Sequence, residues 1–154
     1  MEVNHDIDQQ VQQFCEWYGD GSDGSSPTKE QWKHILTLPP ANPLKLVNFF
    51  KLSAEADYAR SPSDAGAVVS GMEAFNKYAA VSMPAMEKAG GSFLHVGPYG
   101  GMFLGDSENW DIIAIGAFPN LDAFLGLYTD QDYRNCFTHR VAACERQKVM
   151  ICAG

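Results

Sequence analysis

The order of apolar segments in this sequence predicts an α+β protein with one antiparallel sheet and helices on one face of that sheet. Strand and helix patterns follow one another as β, α, β, β, α, β over residues 28–154. Right-handed crossovers are strongly preferred, so the natural solution is a ferredoxin-like βαββαβ sandwich. The clearest strand, WDIIAIGAFP at 110–119, is apolar on both sides. Such a strand needs cover on both faces, and we expect helices on one and a second copy's sheet on the other, forming a dimeric α+β barrel.

Length and composition indicate one folded domain with an appendage. The chain has 154 residues, of which 45% are hydrophobic and 19% charged, and this is ordinary for a globular protein. We expect residues 1–27 to form an N-terminal helix and a flexible linker, and residues 28–154 to form a single α+β domain.

Charge and cysteine content restrict the partners and the compartment. The formal charge of −8 opposes binding to phosphate backbones, so we expect no nucleic-acid partner. The acidic, polar start MEVNHDIDQQ and the absence of an apolar run of about 18 residues predict neither a signal peptide nor a membrane span. Four cysteines without a CxxC spacing are expected to be reduced thiols. These features together predict a cytoplasmic protein.

The first half of the chain begins with a helix over residues 5–18, whose apolar stripe docks on its own body or on a neighbour's. The Gly-rich and Ser-rich segment 19–27 predicts the linker, and Thr28 caps a short helix that ends at Leu36. Strand 44–52 follows. The segment 53–70 has no clear periodicity and is a candidate lid.

The second half is predicted to begin with a helix over residues 71–89, kinked or restarted at Pro84. A strand over residues 92–97 is expected to bend at GPYGG and to continue at residues 102–104. After WDIIAIGAFP, Asn120 caps one helix and Thr129 caps a second segment that runs to about residue 146. Residues 148–152 form the last predicted strand.

Arg140 is the most unusual residue on an apolar face. It follows Tyr133 and Phe137 at helical spacing on the inward stripe of the last helix. Burying an unpaired guanidinium costs several kcal/mol, more than the roughly 2 to 3 kcal/mol gained by burying a phenylalanine. Arg140 must therefore pair with a carboxylate such as Asp111, extend to solvent, or bind an anion.

Other polar residues are candidates to line a pocket. His95 is predicted to lie beside Phe93 on one side of its strand, where it would be a general base or a hydrogen-bonded structural histidine. Asn48 lies in the middle of an apolar strand side and needs a polar neighbour or a cavity. Tyr78 and Tyr133 either donate hydrogen bonds to a ligand or form part of the core.

Several segments in order resemble one known family. They are WKHILTLPPANPLKLVNFFKL, SGMEAFNKYA, AGGSFLHVG, WDIIAIGAFPNLDAF and DYRNCFTHR. Over residues 28–152 they are similar to the uncharacterised "domain of unknown function thirteen-thirty" family of the dimeric α+β-barrel superfamily. The resemblance implies a ferredoxin-like protomer and a homodimer, but no activity. The family's recurring positions map onto Tyr78, Gly90, Gly91, Asp111, Phe118, Pro119, Tyr133 and Arg140.

No standard nucleophile, phosphate-loop or metal motif is present in the sequence, and we expect no cofactor and no metal. One hypothesis is a cofactor-free enzyme acting on a small organic molecule, with His95 as base, Arg140 and Tyr133 holding an anionic or carbonyl group, and Asn48 lining the pocket. The alternative is a non-catalytic ligand-binding or assembly module. A third hypothesis is haem or metal binding through His95 or His139.

Overall fold

A computed structural model describes residues 2–59, 61–62 and 66–154, without the side chains of residues 2–5. The elements, in chain order, are α1 (Glu2–Tyr18), α2 (Lys29–Leu36), β1 (Leu44–Leu52), α3 (Gly71–Lys88), β2 (Ser92–Pro98), β3 (Ile112–Phe118), α4 (Leu121–Thr129), α5 (Gln131–Ala143) and β4 (Cys144–Ala153). None of the helices in these ranges is long and apolar enough to cross a membrane.

The four strands form one antiparallel sheet in the order β2-β3-β1-β4. This strand order, with the crossover helices packed on one face, is the ferredoxin-like arrangement predicted from the sequence. Phe50 of β1 contacts Phe75 of α3 with ring centroids 4.9 Å apart, and Phe118 of β3 contacts Phe124 of α4 at 5.6 Å. The core therefore lies between the sheet and the helices.

Helix α1 docks on its own chain. Phe14 stacks on Trp32 of α2 with ring centroids 4.3 Å apart, and the hydroxyl of Tyr18 donates to the carbonyl of Tyr128 at 2.7 Å. The cap predicted at Thr28 is confirmed, and it is a full capping box: the Thr28 hydroxyl accepts from the backbone of Gln31, and the Gln31 side chain accepts from the backbone of Thr28.

The β2–β3 connection differs from the prediction in three places. A β-bulge leaves Leu94 unpaired between Phe93, opposite Gly116, and His95, opposite Ile115. Strand β2 ends at Pro98 and does not continue at residues 102–104, which form part of an exposed loop. Strand β3 starts at Ile112, so its first predicted residues, 110 and 111, belong to that loop.

The helical boundaries also shift. Helix α3 is one continuous element that includes Pro84, where a kink or restart was predicted. The cap of α5 is Asp130, whose side chain accepts from the backbone of Tyr133 at 3.0 Å, and not Thr129. Helix α5 ends at Ala143 because β4 already pairs with β1 from Cys144.

The described part of the candidate lid is attached to the body at several points. The backbone N–H groups of Ser53 and Asp57 donate to carbonyls at the end of α5, at 2.8 and 2.9 Å. Tyr58 is buried, and its hydroxyl contacts Nδ1 of His139 at 2.7 Å. Residues 60 and 63–65 of the predicted lid lie outside the described residues.

The sheet face away from the helices is apolar at its centre. The strand register aligns His95, Ile115, Val47 and Met150 in one row across the sheet. Ile115 and Val47 are only half-buried, and Met150 is 46% exposed. We call this surface the open face.

Candidate ligand-binding site

Arg140 lies at the centre of the protein, between the helices and the sheet. Its side chain comes from α5, and the residue is 4% exposed. Its Nε donates to Oε1 of Gln147 at 2.8 Å, and its two Nη atoms donate to the hydroxyl of Tyr78 at 3.1 Å and to Oδ1 of Asn48 at 3.2 Å. All three partners are uncharged.

Aromatic rings surround the same guanidinium. Its Cζ lies 4.8 Å from the ring centroid of Phe50, 5.5 Å from that of Phe137 and 5.6 Å from that of Tyr78. Ring faces attract cations, and this attraction offsets part of the desolvation cost. Because Phe137 and Arg140 are three residues apart, one face of α5 carries both, as the sequence predicted.

Asn48 is oriented by the sheet. Its Nδ2 donates to the carbonyl of Ala114 at 3.0 Å and to that of Leu46 at 3.3 Å. These two bonds direct Oδ1 towards Arg140, the only arrangement that suits a guanidinium, since a guanidinium can donate but not accept. Of the two alternatives predicted for Asn48, a polar neighbour or a cavity, the structure shows both, because Asn48 bonds to Arg140 and also borders the cavity described below.

Three tyrosines extend the network from Arg140. The hydroxyls of Tyr78 and Tyr133 are 2.8 Å apart, and those of Tyr133 and Tyr128 are 3.5 Å apart. Burial raises the pKa of Tyr78, and burial raises the pKa of Tyr133 well above its usual value. Both are neutral phenols at physiological pH, so they do not neutralise the charge of Arg140.

The network borders a small cavity of about 30 Å³ between the sheet and the helices. Its polar lining comprises Asn48, Tyr78, Ser82, Tyr128, Tyr133 and Arg140, and its apolar lining comprises Leu46, Met86, Phe93, Gly116, Phe118 and Leu127. The volume suffices for one or two water molecules or a small functional group. We call it the central cavity.

Met86 occupies space that two glycines leave free. A Cβ atom on Gly91 would lie 2.8 Å from Sδ of Met86, and a Cβ atom on Gly116 would lie 2.9 Å from its Cε. Any larger residue at these two positions would displace the end of the methionine side chain. Met86 is therefore the adjustable wall of the central cavity.

The predicted pair between Asp111 and Arg140 is wrong. The Asp111 carboxylate accepts from the backbone N–H of Leu52 at 2.7 Å and lies 3.4 Å from Nζ of Lys51. Asp111 precedes β3 and fixes the end of β1, whereas Arg140 bonds to β1 at Asn48 and to β4 at Gln147. The two side chains thus serve different parts of the sheet.

His95 was expected on the same side of β2 as Phe93, and this prediction is wrong. The bulge at Leu94 places Phe93 opposite the buried Gly116 and places His95 opposite Ile115. Directly paired residues share a sheet face, so Phe93 points towards the central cavity and His95 lies on the open face. The ring of His95 is exposed near Gly97, and His95 does not line the central cavity.

Two larger hollows lie on the surface. One, of about 430 Å³, lies between α1 and α5 and includes Trp17 and Arg134, whose Cζ is 4.1 Å from the Trp17 ring centroid. The other, of about 530 Å³, lies between α3 and α5 and includes Lys88 and Asp130. Within the described residues, no group of three or more His, Cys, Asp or Glu side chains is arranged to hold a metal.

Sequence reasoning missed several members of the site. Gln147 was placed in the turn before the last strand, but β4 begins earlier and brings it to Arg140. Tyr128 is not among the candidate residues predicted from the sequence, because its hydroxyl contact with Tyr133 depends on how α4 meets α5. Gly91 and Gly116 can be recognised as neighbours of Met86 only once the sheet register is known.

The fold and site define a ferredoxin-like α+β protein with a buried cationic cavity between its sheet and its helices. The chain belongs to the family described as "Domain of unknown function (DUF1330)", whose model matches residues 65–154. This match confirms the family resemblance inferred from the sequence. No curated protein matches the chain.

Solved structures similar to the chain are also described without a function. The methylated RPA0582 protein is 28% identical, with a TM-score of 0.74 over 84% of this chain and 93% of that one. A second structure of the RPA0582 protein, from Rhodopseudomonas palustris, is 28% identical with a TM-score of 0.73 over 84% and 95%. A Bacteroides fragilis protein, described as dimeric with a ferredoxin-like fold, is 15% identical with a TM-score of 0.45 over 73% and 96%.

Proposed function

We propose that this protein is a homodimeric binding protein for a small organic molecule, which it holds in the central cavity without a cofactor. One observation carries the proposal: Arg140 is buried, and its three hydrogen-bond partners are neutral. A buried charge is weak evidence for stability, because a well-packed apolar side chain in its place is often as stable or more so. A ligand that needs the charge gives a reason for its presence.

Binding is favoured over acid–base catalysis. His95, the base of the enzyme hypothesis, lies on the open face, and the ionisable side chains lining the central cavity are Tyr78, Tyr128, Tyr133 and Arg140. Burial raises the pKa of two of these tyrosines, Tyr78 and Tyr133, so their hydroxyls stay protonated at neutral pH and do not act as bases there. The non-catalytic ligand-binding alternative therefore has the better support.

The size of the cavity restricts the ligand. Pockets for drug-sized molecules measure about 300 to 1,000 Å³, whereas the central cavity measures about 30 Å³. A ligand of more than two or three heavy atoms requires movement of a lining side chain. Met86 is suited to this movement because methionine is unbranched and adapts to irregular spaces.

The homodimer is proposed from the open face. Val47 and Ile115 lie side by side at its centre, and no helix of the described residues lies above them. In the loop after β2, Phe103 is fully exposed and Leu104 is 82% exposed. Apolar surface of this kind marks an interaction site, and a second copy would cover both the sheet and the loop.

A cytoplasmic location is part of the same proposal. All four cysteines are free thiols in the structure: Cys15, Cys136, Cys144 and Cys152. Unpaired thiols are typical of proteins from reducing compartments.

A thermal-shift screen of small metabolites tests ligand binding. The proposal predicts that at least one compound raises the melting temperature of the wild-type protein, with about 2.7 kcal/mol of stabilisation at 100 times its dissociation constant. The Arg140→Met variant should lose this response. Its control is Arg134→Met, which removes an arginine of α5 that stacks on Trp17 outside the central cavity.

The assembly alternative gives the opposite result. If the polar residues only satisfy one another, no metabolite shifts the melting temperature, and Arg140→Met behaves like Arg134→Met. Light scattering tests the homodimer separately. A monomer at micromolar concentration would contradict that part of the proposal.

A further inference from the structure

We propose that the group bound in the central cavity is a small carboxylate, and that Met86 sets the length of the apolar tail attached to it. This inference rests on the proposed function and names the chemical class of its ligand. It follows from the number of hydrogen-bond donors around the cavity, the charge of Arg140 and the packing of Met86.

The guanidinium has unused donors. An arginine side chain carries five N–H groups, and Arg140 directs three of them to Gln147, Tyr78 and Asn48. Two N–H groups, one on each Nη atom, have no acceptor within the described part of the chain. Two such donors on one planar group suit the two oxygens of a carboxylate.

The tyrosines supply one further donor. Tyr78, Tyr133 and Tyr128 carry three phenolic protons and form two hydroxyl–hydroxyl contacts. Each contact uses one proton, whichever of its two hydroxyls donates, so one phenolic proton remains available. The hydroxyl of Tyr78 already accepts from Arg140. Arg140 and these three tyrosines thus have three unused donors between them, which favours a ligand rich in acceptors.

The charge selects an anion over a neutral acceptor. The described lysines that form ion pairs lie near the surface and face carboxylates: Lys51 faces Asp111 at 3.4 Å, Lys88 faces Asp130 at 3.2 Å and Lys148 faces Glu108 at 2.8 Å. Among the described residues that line the cavity around Arg140, none carries a carboxylate. A buried cation without a counter-ion attracts an anion more strongly than an amide or a ketone of the same shape.

The rest of the cavity suits a short apolar tail. Leu46, Phe118 and Leu127 line it beside Met86 and Phe93. A tail of one or two carbons would extend towards the methionine, away from the polar network. Because formate already has three heavy atoms, any tail requires the end of the Met86 side chain to move, and a longer tail requires more movement. The limit on ligand size therefore lies at this residue.

The test compares sodium formate, acetate, propionate and butyrate with the corresponding neutral amides, at constant ionic strength, by calorimetric titration of the full chain. We expect the carboxylates to bind at least tenfold more tightly than the amides, with the tightest binding for a short tail. Arg140→Met should weaken carboxylate binding by about ten- to 100-fold. Arg140→Lys, which keeps the charge but not the paired donors, should weaken it less.

Two further variants test the parts of the inference separately. Tyr128→Phe should leave carboxylate binding within about twofold of the wild type, because the two remaining phenolic protons share one contact and one donor is still unused. Met86→Ala should move the preferred tail from acetate or propionate to butyrate. The Arg134→Met control should bind like the wild type, and circular dichroism should confirm that each variant is folded.

The results separate this inference from the proposed function. Equal binding of acetate and acetamide would overturn the carboxylate assignment. The proposed function would then still hold, with a neutral ligand in the same cavity. An unchanged chain-length preference in Met86→Ala would overturn the role of Met86. If none of the carboxylates binds, the inference fails, although a hit in the metabolite screen would still support the proposed function. Failure of both experiments would reject the binding site as a whole.

Discussion

Replacing Arg140 by methionine tests whether the buried charge serves stability or binding. The substitution removes the guanidinium, whose burial costs several kcal/mol, and leaves its three acceptors without their donor. Gln147 is half-buried and can hydrate, and the hydroxyl of Tyr78 keeps its contact with Tyr133. Only Oδ1 of Asn48 is left buried without a donor, at a cost of about 1 to 3 kcal/mol. We therefore expect Arg140→Met to lie within about 2 kcal/mol of wild type.

A substitution of Asn48, a hydrogen-bond partner of Arg140, should behave differently. Asn48→Leu leaves the guanidinium in place and removes one of its acceptors, a hydrogen bond to a charged group worth about 1.5 to 3 kcal/mol. It should destabilise the protein by about that amount. The double variant Arg140→Met/Asn48→Leu removes both the charge and the unsatisfied oxygen, and it should be at least as stable as the wild type. The effects of the two changes are thus expected to be strongly non-additive.

Urea unfolding followed by tryptophan fluorescence measures these differences. All four proteins must be compared at one protomer concentration, because the stability of the proposed dimer would depend on concentration. A loss of more than about 4 kcal/mol in Arg140→Met, not recovered in the double variant, would refute the reasoning. The charge would then be a structural requirement of the fold.

Three further predictions concern other parts of the molecule. Burial raises the pKa of the Cys136 thiol to about 12, from 9.0. A thiol reagent at pH 8 should therefore modify the exposed Cys152 and spare Cys136 until the protein unfolds. The stability of the native state should also fall as pH rises above 9, because the Cys136 thiol loses its proton in the unfolded chain before it does so in the folded protein. Ile115→Lys should place a charge in the middle of the open face and convert the proposed dimer to a monomer in light scattering, with the melting curve of the monomer still cooperative. Asp111→Ala should cost about 1 kcal/mol in urea unfolding, and this cost should add to that of Arg140→Met within about 0.5 kcal/mol, because the two side chains are not paired.

Much of the fold, and about half of the residues of the site, could be predicted from the sequence. Helical spacing was enough to bring Tyr133 and Arg140 to one buried face of α5, and alternation along β1 was enough to bury Asn48. These residues were identified because the period of an element determines which face a side chain lies on. The strand order followed from the βαββαβ pattern and the preferred crossover.

What the sequence did not reveal depends on contacts between elements. A single bulged residue, Leu94, reverses the face of His95, and no local pattern in SFLHVGP marks it. The partner of Arg140 was misjudged because charge attraction suggested Asp111, whereas the register of β4 brings Gln147 into reach. Asp111 instead fixes the backbone where β1 ends, a role that is visible only once the strands are paired.

The most direct test of the account is a high-resolution crystal structure of the protein grown with sodium acetate and, separately, with acetamide. We expect a bound carboxylate with its oxygens within hydrogen-bond distance of both Nη atoms of Arg140 and its methyl group directed at Met86. Acetamide should leave the central cavity without an ordered ligand. A cavity that holds only water in both crystals, with Arg140 still bound to its three neutral partners, would contradict the account.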